Sequence, residues 1–302
     1  MVISMVKRCT EEQWKQQFSH PWVLLENLEG VSFPLYHDEI QTEAKFLART
    51  QDAFTRSDEE MLLFMEQGKA LGWAHTYWIP QDRYLGLVSM AVPRNFGDAL
   101  GQLLDYWGRQ FPGYQWDAYF PQENKEAHRV LQSRGMKPQV QEAVGVLLFD
   151  QYHPRPENSR IAKLDREHFH LFRQVHQREE GKMYWTSDRI FATLEDWALY
   201  GYVQQGKCVA VLYYKGVGTK NLEIFGLDFI YQGEPLEASE VGRALLVSAL
   251  NQAKKDGAKS MYFFHDPRLT EIVEETGFQI LTTAVAYGGT VPFEPASPFS
   301  RD

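Results

Sequence analysis

Cysteine is scarce in this sequence, which excludes most cysteine-based chemistry. The 302 residues include two cysteines, Cys9 and Cys208, too few for a disulfide framework. The sequence has no Cys-x-x-Cys pair and no Gly-x-Ser-x-Gly nucleophile motif. Three histidines, at positions 168, 170 and 176, fall in one predicted helical stretch, but spacings of two and six residues do not place them on one helix face. We therefore expect no metal site.

Positive charge and long apolar runs are also lacking. Lysine and arginine number 31 against 40 aspartates and glutamates, for a net charge of −9, whereas a nucleic-acid-binding protein usually presents a basic surface. Lys7 and Arg8 interrupt the apolar N-terminus, and no window approaches the roughly 18 apolar residues of a membrane span. These features predict a soluble, cytoplasmic protein with no nucleic-acid or membrane partner.

The second half of the sequence repeats features of the first half in the same order. Gln67-Gly68-Lys69 and Gln205-Gly206-Lys207 each precede an apolar run, at an offset of 138 residues. Further on, Gly135-Met136 and Gly277-Phe278 correspond at an offset of 142 residues. Ordered matches with nearly constant offsets indicate a duplicated domain. A single domain with chance similarities is the alternative.

Both halves show the same predicted order of elements: three strands, a helix, a strand, a helix and a strand. In the first half these are 61–66, 70–79, 84–92, 95–110, 116–120, 125–134 and 143–149. In the second half, helical stretches at 163–178 and from 194 onward precede 201–204, 209–214, 222–230, 239–256, 261–264, 267–275 and 279–287. The order predicts an α/β fold of the α+β type with a mixed sheet. The Pro-containing segment Gln151–Ser159 suggests domains at 1–150 and 158–295.

Each half resembles the GNAT superfamily of acyl-CoA N-acyltransferases. Members carry a Gln/Arg-x-x-Gly-x-Gly/Ala loop that enters a helix, and later an Asn-x-x-Ala helix that ends in Gly-Phe. The first half matches at Arg94, Gly97 and Ala99, and again from Asn124 to Ala127. In the second half Gly242 and Gly277-Phe278 match. Glu237, however, stands at the loop position of Gln/Arg, and Glu240 at the position of the first Gly. The resemblance implies two tandem GNAT-like domains with acetyl-CoA as acyl donor and no metal.

A pyrophosphate can bind where a loop enters a helix, because the first backbone N–H groups are unpaired and the helix dipole is positive there. The first half is the better candidate, since it has Arg94 and Gly97 at the loop positions where the second half has Glu237 and Glu240. By resemblance, strand backbone ahead of the loop binds the pantetheine arm, at Met90, Ala91 and Val92 or at Leu227, Asp228 and Phe229. We predict the cofactor site in the first half, formed by Met90, Ala91, Val92, Arg94, Asn95, Phe96, Gly97, Asp98, Ala99, Leu100 and Asn124. The alternative for the loop is a plain helix cap with Asn95 at the N-cap.

Acyl transfer to an amine needs a base, donors for the oxyanion and an acid for the leaving thiolate. Many GNAT members use a tyrosine four residues before the Gly-Phe pair, but Leu131 and Val273 stand there. Tyr119 and Tyr262, on the preceding strands, are the substitutes by proximity, each with a core role as the alternative. His75 is a candidate base. Asp228 is another, because a charge within an apolar strand needs a partner or a purpose; alternatively it faces solvent.

The resemblance implies an acyl-CoA-dependent N-acyltransferase that transfers an acetyl group directly, in a ternary complex, to a primary amine of a small molecule or peptide. The acidic balance suits a cationic acceptor such as a polyamine or an aminoglycoside. A catalytically inactive tandem protein that binds CoA or another ligand, or serves in assembly, is the alternative. An aminoacyl-tRNA donor is disfavoured by the acidic charge, and a homodimer remains open.

Overall fold

The chain forms two compact units that draw their residues from both halves of the sequence. The computed structural model describes residues 5–31, 43–181, 183–230 and 235–291. Unit 1 consists of the described residues of Met1–Gln141 and Thr283–Asp302, and unit 2 of those of Glu142–Thr282. Both units combine a mixed sheet with helices.

The strands are β1 (Met5–Arg8), β2 (Glu59–Glu66), β3 (Lys69–Ile79), β4 (Tyr84–Ala91), β5 (Gln115–Pro121), β6 (Val140–Leu148), β7 (Ile161–Leu164), β8 (Trp197–Gln204), β9 (Lys207–Lys215), β10 (Asn221–Phe229), β11 (Ser260–His265) and β12 (Gln279–Thr290). The α-helices are α1 (Glu11–Gln17), α2 (Trp22–Leu25), α3 (Glu43–Thr50), α4 (Asp52–Thr55), α5 (Phe96–Gln110), α6 (Lys125–Ser133), α7 (Phe169–His176), α8 (Ser187–Ala192), α9 (Pro235–Lys255) and α10 (Thr270–Glu275). Short 3₁₀ helices lie at Leu28–Gly30, Leu194–Asp196 and Pro267–Leu269.

The sheets of the two units have matching strand orders. In unit 1 the order is β1-β2-β3-β4-β5-β12, and in unit 2 it is β7-β8-β9-β10-β11-β6. The pairs β4/β5 and β10/β11 are parallel, and the other described pairs within the units are antiparallel. Each sheet therefore ends with a strand from the other half of the sequence, whereas the predicted domains, 1–150 and 158–295, keep each closing strand with its own half.

The predicted duplication is confirmed in residue-level detail. The turn residues Gln67 and Gln205 both have left-handed backbone, with φ of 49° and 51°. The register of β3 against β4 shifts between His75 and Thr76, and the register of β9 against β10 shifts at the matching place, opposite Tyr213. Gly135 and Gly277 end α6 and α10 with positive φ, the conformation that glycine permits at a helix C-terminus.

Helices pack against both faces of each sheet. α5 buries the apolar positions that predicted a helix, from Phe96 through Leu103 to Trp107. In unit 2, α9 places Leu246 and Leu250 in the core beneath β8–β11. Removing apolar surface from water in this way stabilises each unit separately. None of the described helices is long and apolar enough to cross a membrane.

Several local predictions differ from the structure. The region predicted as helical at 163–178 contains β7 followed by the shorter α7. From Leu194 there is one 3₁₀ turn, and then β8 begins at Trp197, because its buried run Trp197–Tyr202 pairs on both edges. The predicted linker, Gln151–Ser159, is irregular but belongs to unit 2, where the Asn251 side chain of α9 donates to the Arg155 carbonyl at 2.8 Å. The elements before β2 were not predicted.

Candidate functional site

In unit 2, two parallel strands separate along their length. β10 pairs with β11 from Asn221↔Ser260 to Ile224↔Phe263, and the recorded pairing ends there. β10 continues to Phe229 while still paired with β9. Among the described strand pairs, the segment Phe225–Phe229 therefore has no partner on its β11 side. Backbone N–H and C=O groups along such an edge are available to a ligand.

Asp228 lies on this separated part of β10 and is paired with a buried histidine. The Asp228 side chain is only 10% exposed, and its Oδ2 lies 2.9 Å from Nδ1 of His176, whose side chain is fully buried. The other ring nitrogen, Nε2, donates to the Trp185 carbonyl at 2.9 Å. Because a carbonyl can only accept, Nε2 carries a proton, so one further proton lies between Nδ1 and Oδ2. Asp228 does not face solvent.

The surroundings of the pair favour retention of that proton. Burial raises the pKa of Asp228, and the hydrogen bond with His176 offsets this only in part. For His176, burial opposes the charged form, but the hydrogen bonds to Asp228 and Trp185 outweigh it and raise the pKa. A carboxyl group with a raised pKa is suited to general acid–base chemistry near neutral pH.

Tyr213 of β9 completes the cluster. Burial and the neighbouring carboxylate of Asp228 raise the pKa of Tyr213 well above its ordinary value. The ring crosses Gly226, where an added Cβ would lie 2.2 Å from the tyrosine hydroxyl. A glycine is thus required at this bulge for Tyr213 to occupy its position beside Asp228.

The matching region of unit 1 is occupied by protein. β4 pairs with β5 at Tyr84↔Gln115 and Leu85↔Trp116. Farther along β4, Val31 forms an antiparallel bridge with Ala91, and the backbone N–H of Val92 donates to the Gly30 carbonyl at 3.1 Å. Of the predicted pantetheine contacts Met90, Ala91 and Val92, the N–H of Val92 therefore already has an acceptor.

The start of α5, the predicted pyrophosphate site, also has an internal partner. The Gly97 N–H donates to Oε2 of Glu126 at 2.7 Å, so a carboxylate lies where an anion would bind. Arg94 forms an ion pair with Glu66 at 2.7 Å. Asn95 is the N-cap residue with left-handed backbone, but its side chain makes no capping hydrogen bond. Asp98 is exposed at the helix start, whereas the side chains of Phe96, Ala99 and Leu100 are buried.

The remaining predicted residues of unit 1 have structural contacts. Asn124 caps α6, where its side chain accepts from the Ala127 N–H at 3.0 Å. His75 is completely buried, with Nε2 at 2.6 Å from Glu59, and Glu59 also accepts from Arg49 at 2.6 Å. Burial lowers the pKa of His75, although the hydrogen bond to Glu59 opposes this.

Tyr119 is half-buried on β5, opposite Ala286 of β12. His75 and Tyr119 belong to unit 1 and Asp228 to unit 2. Leu131 and Val273, at the positions of the family's tyrosine, are fully buried core residues. In the part of the chain that the structure describes, no group of three or more His, Cys, Asp or Glu side chains could hold a metal ion.

His176 is the site residue that sequence analysis missed as a partner of Asp228. From the sequence, His176 was considered only as a possible metal ligand together with His168 and His170. Both of these side chains are exposed. A clue was available, since Phe169, Phe172, Val175 and His176 recur at helical spacing and all are buried on one face of α7. A histidine on an apolar helix face requires a hydrogen-bonding partner in the core.

Comparisons with known proteins agree on the fold. No protein-family model and no curated protein matches the sequence. The crystal structure of a GCN5-related N-acetyltransferase from Sphaerobacter thermophilus is 15% identical, with all of both chains covered and a TM-score of 0.63. A tandem GNAT protein from the clavulanic acid biosynthesis pathway is 11% identical, with 95% of this chain and 98% of that chain covered and a TM-score of 0.52.

A glucosamine N-acetyltransferase region of a fungal multi-domain β-N-acetylglucosaminidase is 12% identical, with a TM-score of 0.57. This match covers 94% of our chain and 38% of the fungal chain. Identities this low establish architecture rather than activity. The matched strand orders, the duplicated bulges and these structural neighbours together show that the chain has the GNAT fold in tandem.

Proposed function

We propose that the protein is an acyl-CoA-dependent N-acyltransferase whose reaction takes place in unit 2. The observation that carries this proposal is the separation of β10 from β11 after Ile224↔Phe263, with Asp228, whose side chain is 10% exposed, on the separated segment. Transfer is direct, from acetyl-CoA to a primary amine of a small molecule or peptide. The GNAT fold of the structural neighbours supports the reaction class.

The contacts in unit 1 weigh against the site predicted from sequence. A diphosphate at the start of α5 would have to displace Glu126 from Gly97, and a pantetheine arm along β4 would have to displace Gly30 from Val92. Two like charges about 4 Å apart repel by roughly 1 kcal/mol in water and by more at lower dielectric. The assignment of the cofactor to unit 1 stays a prediction. We favour unit 2 because of its separated strand, although Glu237 and Glu240 stand at the loop positions that Arg94 and Gly97 hold in unit 1.

Acyl-CoA would supply a thioester, whose carbonyl carbon the amine attacks as the carbon–sulfur bond breaks. With the shared proton on His176, the ionised Asp228 carboxylate would accept the proton that the attacking nitrogen loses, and coenzyme A would leave as a thiolate that takes a proton from solvent. His176 acts through Asp228, because its Nδ1 contact orients Oδ2 and shares the proton. The backbone of Phe225–Phe229 would provide hydrogen bonds to the pantetheine arm.

A second candidate function is ligand binding without turnover. Leu131 and Val273 replace the tyrosine of many members, and both are fully buried. Neither position can therefore protonate a leaving thiolate. This candidate shares the binding site of the first and differs only in chemistry.

Calorimetric titration with acetyl-CoA, followed by an amine screen that monitors free thiol, tests the proposal. Asp228→Asn should leave binding intact and lower turnover by about 10²–10⁴-fold, the usual contribution of general acid–base catalysis. Glu126→Gln is the matched control in unit 1. It should change nothing if unit 2 binds the cofactor, and should tighten binding if unit 1 does.

The outcomes separate the alternatives. Absence of acetyl-CoA binding at millimolar concentration would contradict the transferase and leave the second candidate with a ligand other than CoA. Binding without thiol release for any amine would support the ligand-binding candidate.

A further inference from the structure

An ammonium group of the protein itself lies in an aromatic enclosure in unit 2. Nζ of Lys215 is 4.0 Å from the ring centre of Trp185 and 5.7 Å from that of Trp197. The two indoles meet edge to face at 5.1 Å. Phe225 packs against both indoles, 5.2 Å from Trp197 and 6.2 Å from Trp185. We call the two indoles, Trp185 and Trp197, the aromatic cage.

The recorded contacts of the Lys215 ammonium are with the two indoles. Glu223 is its cross-strand neighbour on β10. Lys215 is half-buried at the end of β9. Removing a cation from water is costly, and the quadrupoles of indole rings offset part of this cost. The two indoles thus already hold one alkylammonium group, that of Lys215.

The cage adjoins the separated strands. Phe225, which packs against both indoles, is the first residue of β10 beyond its last pair with β11. The backbone carbonyl of Trp185 accepts the hydrogen bond from Nε2 of His176. Trp197 also lies 6.1 Å from Tyr213, the neighbour of Asp228. A ligand in the cage would therefore lie beside the proposed reaction site.

We propose that the aromatic cage binds an alkylammonium group of the acceptor, and that Lys215 occupies it as a tethered stand-in while no acceptor is bound. This inference rests on the proposed function, for which it names the acceptor class. An amine held as a cation has no free electron pair and cannot attack a thioester. The acceptor must therefore carry a second nitrogen that reacts, as in an alkyl diamine or polyamine.

The test compares 1,4-diaminobutane with 1,4-butanediol, which has no ammonium group, by calorimetric titration in the absence of acyl-CoA. Lys215→Met removes the tethered cation and keeps the length of the side chain. We expect it to tighten binding of 1,4-diaminobutane roughly 5- to 30-fold, equivalent to a cation–π interaction of about 1–2 kcal/mol. Adding Trp185→Leu should reverse the gain. Lys207→Met, at the exposed start of β9, is the matched control and should change nothing.

Equal affinity for the diamine and the diol in both the wild type and Lys215→Met would overturn the inference. Thermal melting checks that each variant is folded. If diamine binding tightens as expected while acetyl-CoA fails to bind, the cage stands and the proposed transfer falls. If thiol release proceeds with amines but does not depend on the second ammonium, the transfer stands and the cage falls.

Discussion

His176→Phe removes both hydrogen bonds of the buried imidazole while keeping an aromatic ring of similar shape. The native ring stacks on Phe172 at 4.9 Å and meets Tyr213 edge to face at 5.0 Å, contacts that phenylalanine can retain. The substitution leaves Oδ2 of Asp228 without its 2.9 Å partner and the Trp185 carbonyl without a donor. The loss is therefore electrostatic rather than steric.

The magnitude follows from burial. Removing one member of a buried ion pair costs about 3–5 kcal/mol, because the remaining charge is uncompensated. For a unit of this size each kcal/mol lowers the melting temperature by roughly 2–4 °C. We therefore expect a decrease of about 6–20 °C for the transition that reports unit 2.

Thermal unfolding followed by circular dichroism measures the effect. His168→Phe is the matched control, because His168 contacts Asp165 at a similar 2.8 Å but both side chains are more than half exposed. It should leave the melting temperature unchanged. The double variant His176→Phe/Asp228→Leu should recover most of the loss, since apolar replacement of a whole buried pair is often nearly neutral. A single variant as stable as the wild type would refute the reasoning.

Three further outcomes are expected. Because the folded-state pKa of His176 is raised above 6.5, the stability that its charged form contributes is complete below pH 6.5 and is lost as pH rises through the folded-state pKa. Denaturation from pH 6 to 9 should therefore show a free-energy difference between the wild type and His176→Phe that decreases with pH. Gly226→Ala should destabilise by about 1–3 kcal/mol, because its Cβ would lie 2.2 Å from the Tyr213 hydroxyl; an unchanged calorimetric melting temperature would count against this packing. Burial raises the pKa of Cys9 to about 12 and that of Cys208 to about 11, so iodoacetamide at pH 8 should alkylate both cysteines in urea and neither in the folded protein. Rapid labelling without urea would contradict the burial of these thiols.

The repeat could be predicted from sequence because its markers are local. Gln67-Gly68 and Gln205-Gly206 form turns that need left-handed backbone, and Gly135 and Gly277 end helices. Such positions are specified by a few neighbouring residues and are therefore visible in the sequence.

The closing strands could not be assigned from sequence in the same way. β6 and β12 have strand patterns, but alternation along a strand does not identify the strand that it pairs with. The structure pairs β6 with β11 and β12 with β5, so each strand closes the sheet of the other half's unit. The predicted boundary at Gln151–Ser159 followed composition alone.

The candidate site was predictable only in part. Asp228 was singled out because a charge interrupts an apolar strand, and the structure indeed gives it a buried partner. That partner, His176, is 52 residues away in sequence, and nothing local connects the two. Likewise, the Gly97 N–H at the start of α5 donates to Glu126 of α6. Motif matching alone could not predict this contact between two helices.

Hydrogen–deuterium exchange with and without saturating acetyl-CoA tests the central claim most directly, because it locates the bound cofactor without altering the chain. We predict slower exchange of backbone amides in peptides covering 225–242, from the separated part of β10 into α9. Peptides covering 90–100, from the end of β4 into α5, should be unchanged. Protection confined to 90–100 would contradict the assignment of the cofactor to unit 2, and no protection in either region would contradict acyl-CoA binding altogether.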